Sequence, residues 1–225
     1  MSFDIHGKTF ANDIFYNESA LSTYVDELMT LFIESPEGQA RLKIDPEMGF
    51  WAASSIEYCH IHVGPLPPEC SPDDVEELLF DVFPRKISIG SADEAKDVLP
   101  EIIALWEYLR RAFELPNADR MLTYLHSIDP QRFIDAMLDP NKFGMAKSFV
   151  MAGRQAGFDM TDPDSMNQFM HIQNAAAVMN LAKDGSDLQA LGPSPGKPRV
   201  SSASKSKRKM VKKSRKQNRR KKKKK

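Results

Sequence analysis

Leu21-Ser22-Thr23-Tyr24-Val25-Asp26-Glu27-Leu28-Met29-Thr30-Leu31-Phe32 is the stretch that decides the fold class, because Leu21, Tyr24, Val25, Leu28, Leu31 and Phe32 succeed one another at steps of three and four. An α-helix turns once in about 3.6 residues, so this spacing gathers the six side chains on one face. Val75, Leu78, Leu79, Val82 and Phe83 repeat the pattern, and Pro84 is expected to close that helix. Ile102, Leu105, Trp106 and Leu109 repeat it again, in a segment where Ser91 and Glu94 can form a capping box and Pro100 restarts or kinks the helix.

The helix starts are marked by Ser or Asp followed by Pro: Ser35-Pro36, Asp45-Pro46, Ser71-Pro72, Asp129-Pro130, Asp139-Pro140 and Asp162-Pro163. A side-chain oxygen caps the orphan amides of a first turn, and proline at the next position has a helical φ and no amide to satisfy. Further helices are predicted at 118–127, 130–138, 141–156 and 163–182. Only Lys86 to Ile89 alternates like a strand, and four residues with no partner run cannot make a sheet. The fold class is therefore all-α, a compact multi-helix domain of about eight or nine short helices over residues 17–190. Residues 1–16 form a separate N-terminal segment whose order is left open.

Gly192-Pro193-Ser194-Pro195-Gly196 breaks the helical pattern, and a disordered Gly/Pro linker and Lys/Arg-rich tail is expected over 191–225. The net charge of zero conceals a sharp division at this linker. Residues 197–225 hold 17 of the 31 Lys and Arg and no Asp or Glu, which leaves the remainder with 14 basic against 31 acidic side chains, a formal charge of −17. Like charges at such density repel one another and leave nothing apolar to bury, the mark of an interaction tail. The candidate nucleic-acid-binding residues are Lys205, Lys207, Arg208, Lys209, Lys212, Lys213, Arg215, Lys216, Arg219, Arg220, Lys221, Lys222, Lys223, Lys224 and Lys225. Together they would neutralise phosphates and release counterions without reading bases. The tail has no aromatic residue on which a base could stack.

The remaining constellations point to no chemistry. No run of 18 apolar residues occurs, and Met1 to Phe10 carries Asp4, His6 and Lys8, so neither export nor a membrane span is expected. Two cysteines are too few for a disulfide framework and suit a reducing compartment, with a single bridge left open. Cys59, His60, His62 and Cys70 are zinc-ligand types within twelve residues, but their spacing matches no zinc motif and the reading is an ordinary helix end with a loop cysteine. Gly144-Met145-Ala146-Lys147-Ser148 has the outline of a phosphate loop but lacks its glycines and its preceding strand. Instead Gly144, Ser148, Ala152 and Ala156 form a small-residue stripe suited to close helix packing, ended by Gly157. Seven of the twelve methionines fall between Met137 and Met179, which suits core filling better than a partner groove. No catalytic, cofactor or metal residue is assigned.

Asp81-Val82-Phe83-Pro84-Arg85-Lys86, the block Asp139 to Ser148, and Ala156-Gly157-Phe158-Asp159 resemble an uncharacterised group of all-helical bacterial cytoplasmic proteins, over residues 17–180. Some members are associated with the SEC-C-type zinc-binding segment of the bacterial translocation motor. That segment needs cysteines, and the tail here has none. The resemblance implies a helical fold and a bacterial cytoplasm, and no functional residue is carried over. The expected function is a non-enzymatic binding protein whose tail contacts RNA, DNA or the ribosome, with no cofactor. The alternative is a helical module that binds or regulates a protein partner, its tail serving solubility or self-masking.

Overall fold

A computed structural model describes residues 3–7 and 18–183, with side chains for 3–7 and 19–176. The fold is all-α, with no strand among the described residues. Its helices are α1 (Glu18–Glu34), α2 (Pro36–Leu42), α3 (Phe50–Tyr58), α4 (Pro72–Glu77), α5 (Phe83–Lys86), α6 (Ala92–Lys96), α7 (Val98–Phe113), α8 (Ala118–Ser127), α9 (Pro130–Leu138), α10 (Met145–Gln155) and α11 (Pro163–Lys183). The linker and tail, 191–225, lie outside the described residues. The chain divides between Asn167 and Gln168, within α11. Of the second unit only the remainder of α11 is described.

In the first unit α7 is the central post, packed against α2, α3, α6 and α8. Val98, Leu99, Ile102, Leu105, Trp106 and Leu109 are its buried face. On α1 the buried set is Leu21, Tyr24, Val25, Leu28, Met29 and Phe32. Leu31 is half-exposed, because it sits at the margin of the stripe while Met29 takes the opposite margin against the core. Residues 3–7 turn back onto this helix. The Phe3 ring lies 5.0 Å from that of Tyr24, whose hydroxyl donates to the Ile5 carbonyl at 2.8 Å.

The six Ser-Pro and Asp-Pro pairs do not all open helices. Ser35, Asp129 and Asp162 accept from the amides of Gly38 (3.1 Å), Gln131 (3.0 Å) and Ser165 (2.9 Å) and open α2, α9 and α11. Ser71 opens α4 in a reciprocal capping box with Asp74. Asp139 opens only a single 3-10 turn, Pro140–Lys142, so α10 begins later than its spacing predicts. Asp45 opens no helix. Its side chain accepts from Glu47 N at 3.0 Å in a tight turn that leads to Gly49. Ser91 caps α6 without a side-chain bond, and Glu94 accepts from Gly90 N instead, so the expected capping box does not form.

Pro84 does not close its helix. In an α-helix its missing amide would leave the Phe80 carbonyl without a donor. Here a π turn over Leu78–Val82 joins α4 to α5, which runs on to Lys86. The Lys142 ammonium donates to the Phe80 carbonyl at 3.0 Å. The wider π turn also buries Phe80 beside Leu78, Leu79 and Val82. A second π turn, Cys59–Val63, extends α3 and stops at Gly64, whose φ of 124° suits glycine. Beyond α5 the chain is extended, with Ile87 and Ile89 both turned into the core and no strand partner.

The small-residue stripe on α10 is corrected by the packing. Ser148 and Ala156 are exposed, and the close approaches are at Gly144 and Gly153. A Cβ on Gly144 would stand 2.6 Å from the Arg85 carbonyl, and one on Gly153 would strike Met160. Gly157 ends α10 as its position predicts: its amide bonds Arg154 O and that of Phe158 bonds Gly153 O, both at 3.0 Å, with φ of 86° at Gly157.

Candidate functional site

All fifteen lysines and arginines assigned to nucleic acid, Lys205 to Lys225, lie outside the described residues. What the described fold shows is the disposition of the other cations. Arg111 holds Glu37 through two bonds of 2.6 and 2.9 Å, and that bond keeps the Glu37 carboxyl down at about 2. Arg110 pairs with Asp119 at 3.5 Å, Arg132 with Glu76 at 3.4 Å and Lys96 with Asp93 at 2.5 Å. Arg41 is buried between Asp97 and, at 3.8 Å, Asp45.

A cleft of about 410 Å³ opens beside α9, lined by Phe80, Arg132, Asp135, Ala136, Asp139 and Lys142. Its charged groups are engaged within the fold. The Arg132 guanidinium lies 4.3 Å above the Phe80 ring, Lys142 serves the Phe80 carbonyl, and Asp135 accepts from Gln131 at 2.8 Å. Asp139 accepts from the Asn141 amide at 2.9 Å.

The Cys59, His60, His62 and Cys70 group is only partly brought together. The two sulfurs meet at 3.4 Å, both buried. His60 is buried, while His62 is partly exposed beside the Tyr58 ring, and burial followed by the nearby Lys86 and Arg85 lowers its pKa. Among the described residues no three His, Cys, Asp or Glu side chains converge as a metal site needs. Asn117, ahead of α8, fastens the connection between the cysteines: its side-chain amide donates to Pro67 O at 2.8 Å and to Cys70 O at 2.7 Å.

Glu101 and Lys147 are almost completely buried ionisable groups that the spacing did not mark as such. Glu101 occupies a core position of α7, four residues before Leu105, and is fully buried. Its Oε1 accepts from Gly49 N at 3.0 Å and Ala52 N at 2.6 Å, so α7 supplies the cap that Gly49 cannot give α3. Burial raises its pKa against those two bonds, with Asp45 adding to the rise and Arg41 opposing it. A carboxylate in register with apolar residues was the available signal. Lys147 is the other, buried on α10 with Nζ 2.8 Å from the Met137 carbonyl and 4.2 Å from the centre of the Phe143 ring. Desolvation pulls its pKa down to about 8. The segment that carries the outline of a phosphate loop is a helix start, and its lysine points into the protein.

Among the described residues no helix is long and apolar enough to cross a membrane. Set against protein-family models, curated proteins and solved structures, the chain finds no match in any of the three.

Proposed function

We propose that this is a non-enzymatic binding protein of the cytoplasm whose Lys/Arg-rich segment contacts nucleic acid, free or within the ribosome, through charge. The observation that carries this reading is the boundary at Gly196, beyond which 17 cations stand without a single carboxylate. The preceding residues, at −17, repel a polyanion, and Arg41, Lys96, Arg110, Arg111 and Arg132 are already paired with carboxylates. With five of their fourteen cations paired and the balance strongly acidic, the charge favours the tail for phosphate contact.

The test is titration of a labelled single-stranded RNA with the full chain and with a chain ending at Gly192. Engagement of roughly six to ten phosphates predicts a loss of affinity of about 10³ to 10⁵ fold between about 50 and 200 mM salt. Removing the tail should abolish the binding. Unchanged RNA binding by the shortened chain refutes the proposal. Co-purification of a protein that survives high salt would favour a docking role for the helices, since apolar contacts persist where charge pairs dissolve.

A further inference from the structure

Cys59 and Cys70 are the chain's two cysteines, and the fold brings their sulfurs within 3.4 Å of each other. Buried cysteine is common as a small apolar filler, and filling a core does not require two thiols to touch. These two come from opposite ends of one connection. Cys59 opens the π turn that ends α3, and Cys70 directly precedes Ser71, the cap of α4. A cavity of about 20 Å³ lies against the pair, with Ser55, Pro65, Pro67 and Trp106 in its wall. That is room for about one water, and hydrogen peroxide is larger by a single oxygen.

We propose that Cys59 and Cys70 are a redox-modification site, a dithiol that a peroxide converts reversibly into an intramolecular disulfide tying the end of α3 to the start of α4. One cysteine attacks as thiolate on a peroxide oxygen, the O–O bond breaks, and the departing hydroxide takes up the proton the thiol has lost. The product is a sulfenic acid and one water. The second sulfur attacks the first, the S–O bond breaks, and the hydroxyl leaves with the second thiol's proton as another water. Two thiols and one peroxide thus give one disulfide and two waters, the sulfurs losing the two electrons that the peroxide gains. The hydrogen bond to Cys59, and burial after it, push the Cys70 thiol up and protect the closed state. Reaction proceeds through openings of the 64–69 connection that Asn117 otherwise fastens.

The full chain is exposed to hydrogen peroxide under native conditions, the peroxide is quenched, and the chain is then unfolded in denaturant, alkylated and mapped by mass. A cross-linked peptide joining Cys59 to Cys70, about 2 Da lighter than its two thiol parts, is expected, with no alkylatable thiol remaining. The melting temperature should rise by roughly 5 °C and return on treatment with dithiothreitol. Cys59→Ser and Cys70→Ser should each lose the cross-link and the rise. Met145, 92% exposed, serves as the internal control, since its sulfoxide reports that enough peroxide was present. Met145 oxidised while both cysteines stay alkylatable would overturn the proposal. So would a bond between chains, or a bridge that forms only in denaturant.

Discussion

Lys142 donates its ammonium to the carbonyl of Phe80 at 3.0 Å, the acceptor that Pro84 leaves open four residues along. A charged side chain from the turn before α10 thus completes the backbone of the α4–α5 segment, where the helix could not do so itself. Lys142→Met keeps the aliphatic stem and removes the donor, and should cost about 1–2 kcal/mol. In a Pro84→Ala background, where an amide is restored, the same change should cost less. Denaturant titration of the double-mutant cycle should give a coupling of about 1 kcal/mol, and strictly additive values would disprove the link.

Glu101→Ala should be severe, because it strands the buried Ala52 amide and the part-buried Gly49 amide at the start of α3 and leaves a cavity, a loss of about 2–4 kcal/mol. Glu101→Gln retains the accepting oxygen and should stay within about 1 kcal/mol of the parent near neutral pH. What Glu101→Gln changes relative to the parent is the charge. Burial raises the Glu101 pKa above its ordinary 4.5, so the folded state binds this proton more tightly than the unfolded one. Its contribution is fully present below pH 4.5 and lost as pH rises through the folded value. Stability measured against pH should lose that downward component in Glu101→Gln, and an unaltered slope would show the carboxyl to be ionised throughout.

Lys147 shifts in the opposite direction. Its folded-state pKa of about 8 lies below the ordinary 10.5, so between those values the unfolded chain holds more protons and stability rises with pH. Below about pH 8 the ammonium is buried at a cost, eased by the Met137 carbonyl and the Phe143 ring. Lys147→Met removes the cost and also the donor to Met137, and should lie within about 1 kcal/mol of the parent at pH 7. Relative to the parent the variant should lose ground from pH 8 to 10.5. Parallel stability curves over that range would exclude the buried, titrating lysine.

The helical periods of α1 and α7 and the caps at Ser35, Ser71, Asp129 and Asp162 were legible because each depends on residues within one turn of each other. So was the Gly157 stop, where a left-handed backbone favours glycine. Asp45 and Asp139 carry the same signal, yet one heads a turn and the other a single 3-10 turn, because a cap permits a helix without supplying a core face to hold it. The division of charge at Gly196 is likewise a property of the sequence alone.

Contacts between residues distant in the chain were decided by the tertiary structure. The Phe80 carbonyl that Pro84 leaves open is met by Lys142, 62 residues along the chain, and the start of α3 is capped by Glu101, 49 residues from Ala52. Cys59 and Cys70 lie close in sequence, but their sulfurs meet only because the π turn and the proline connection bend the chain back on itself. Periodicity records which side of a helix is apolar; it holds no record of which neighbour supplies a missing donor, and only close packing of the assembled helices determines that.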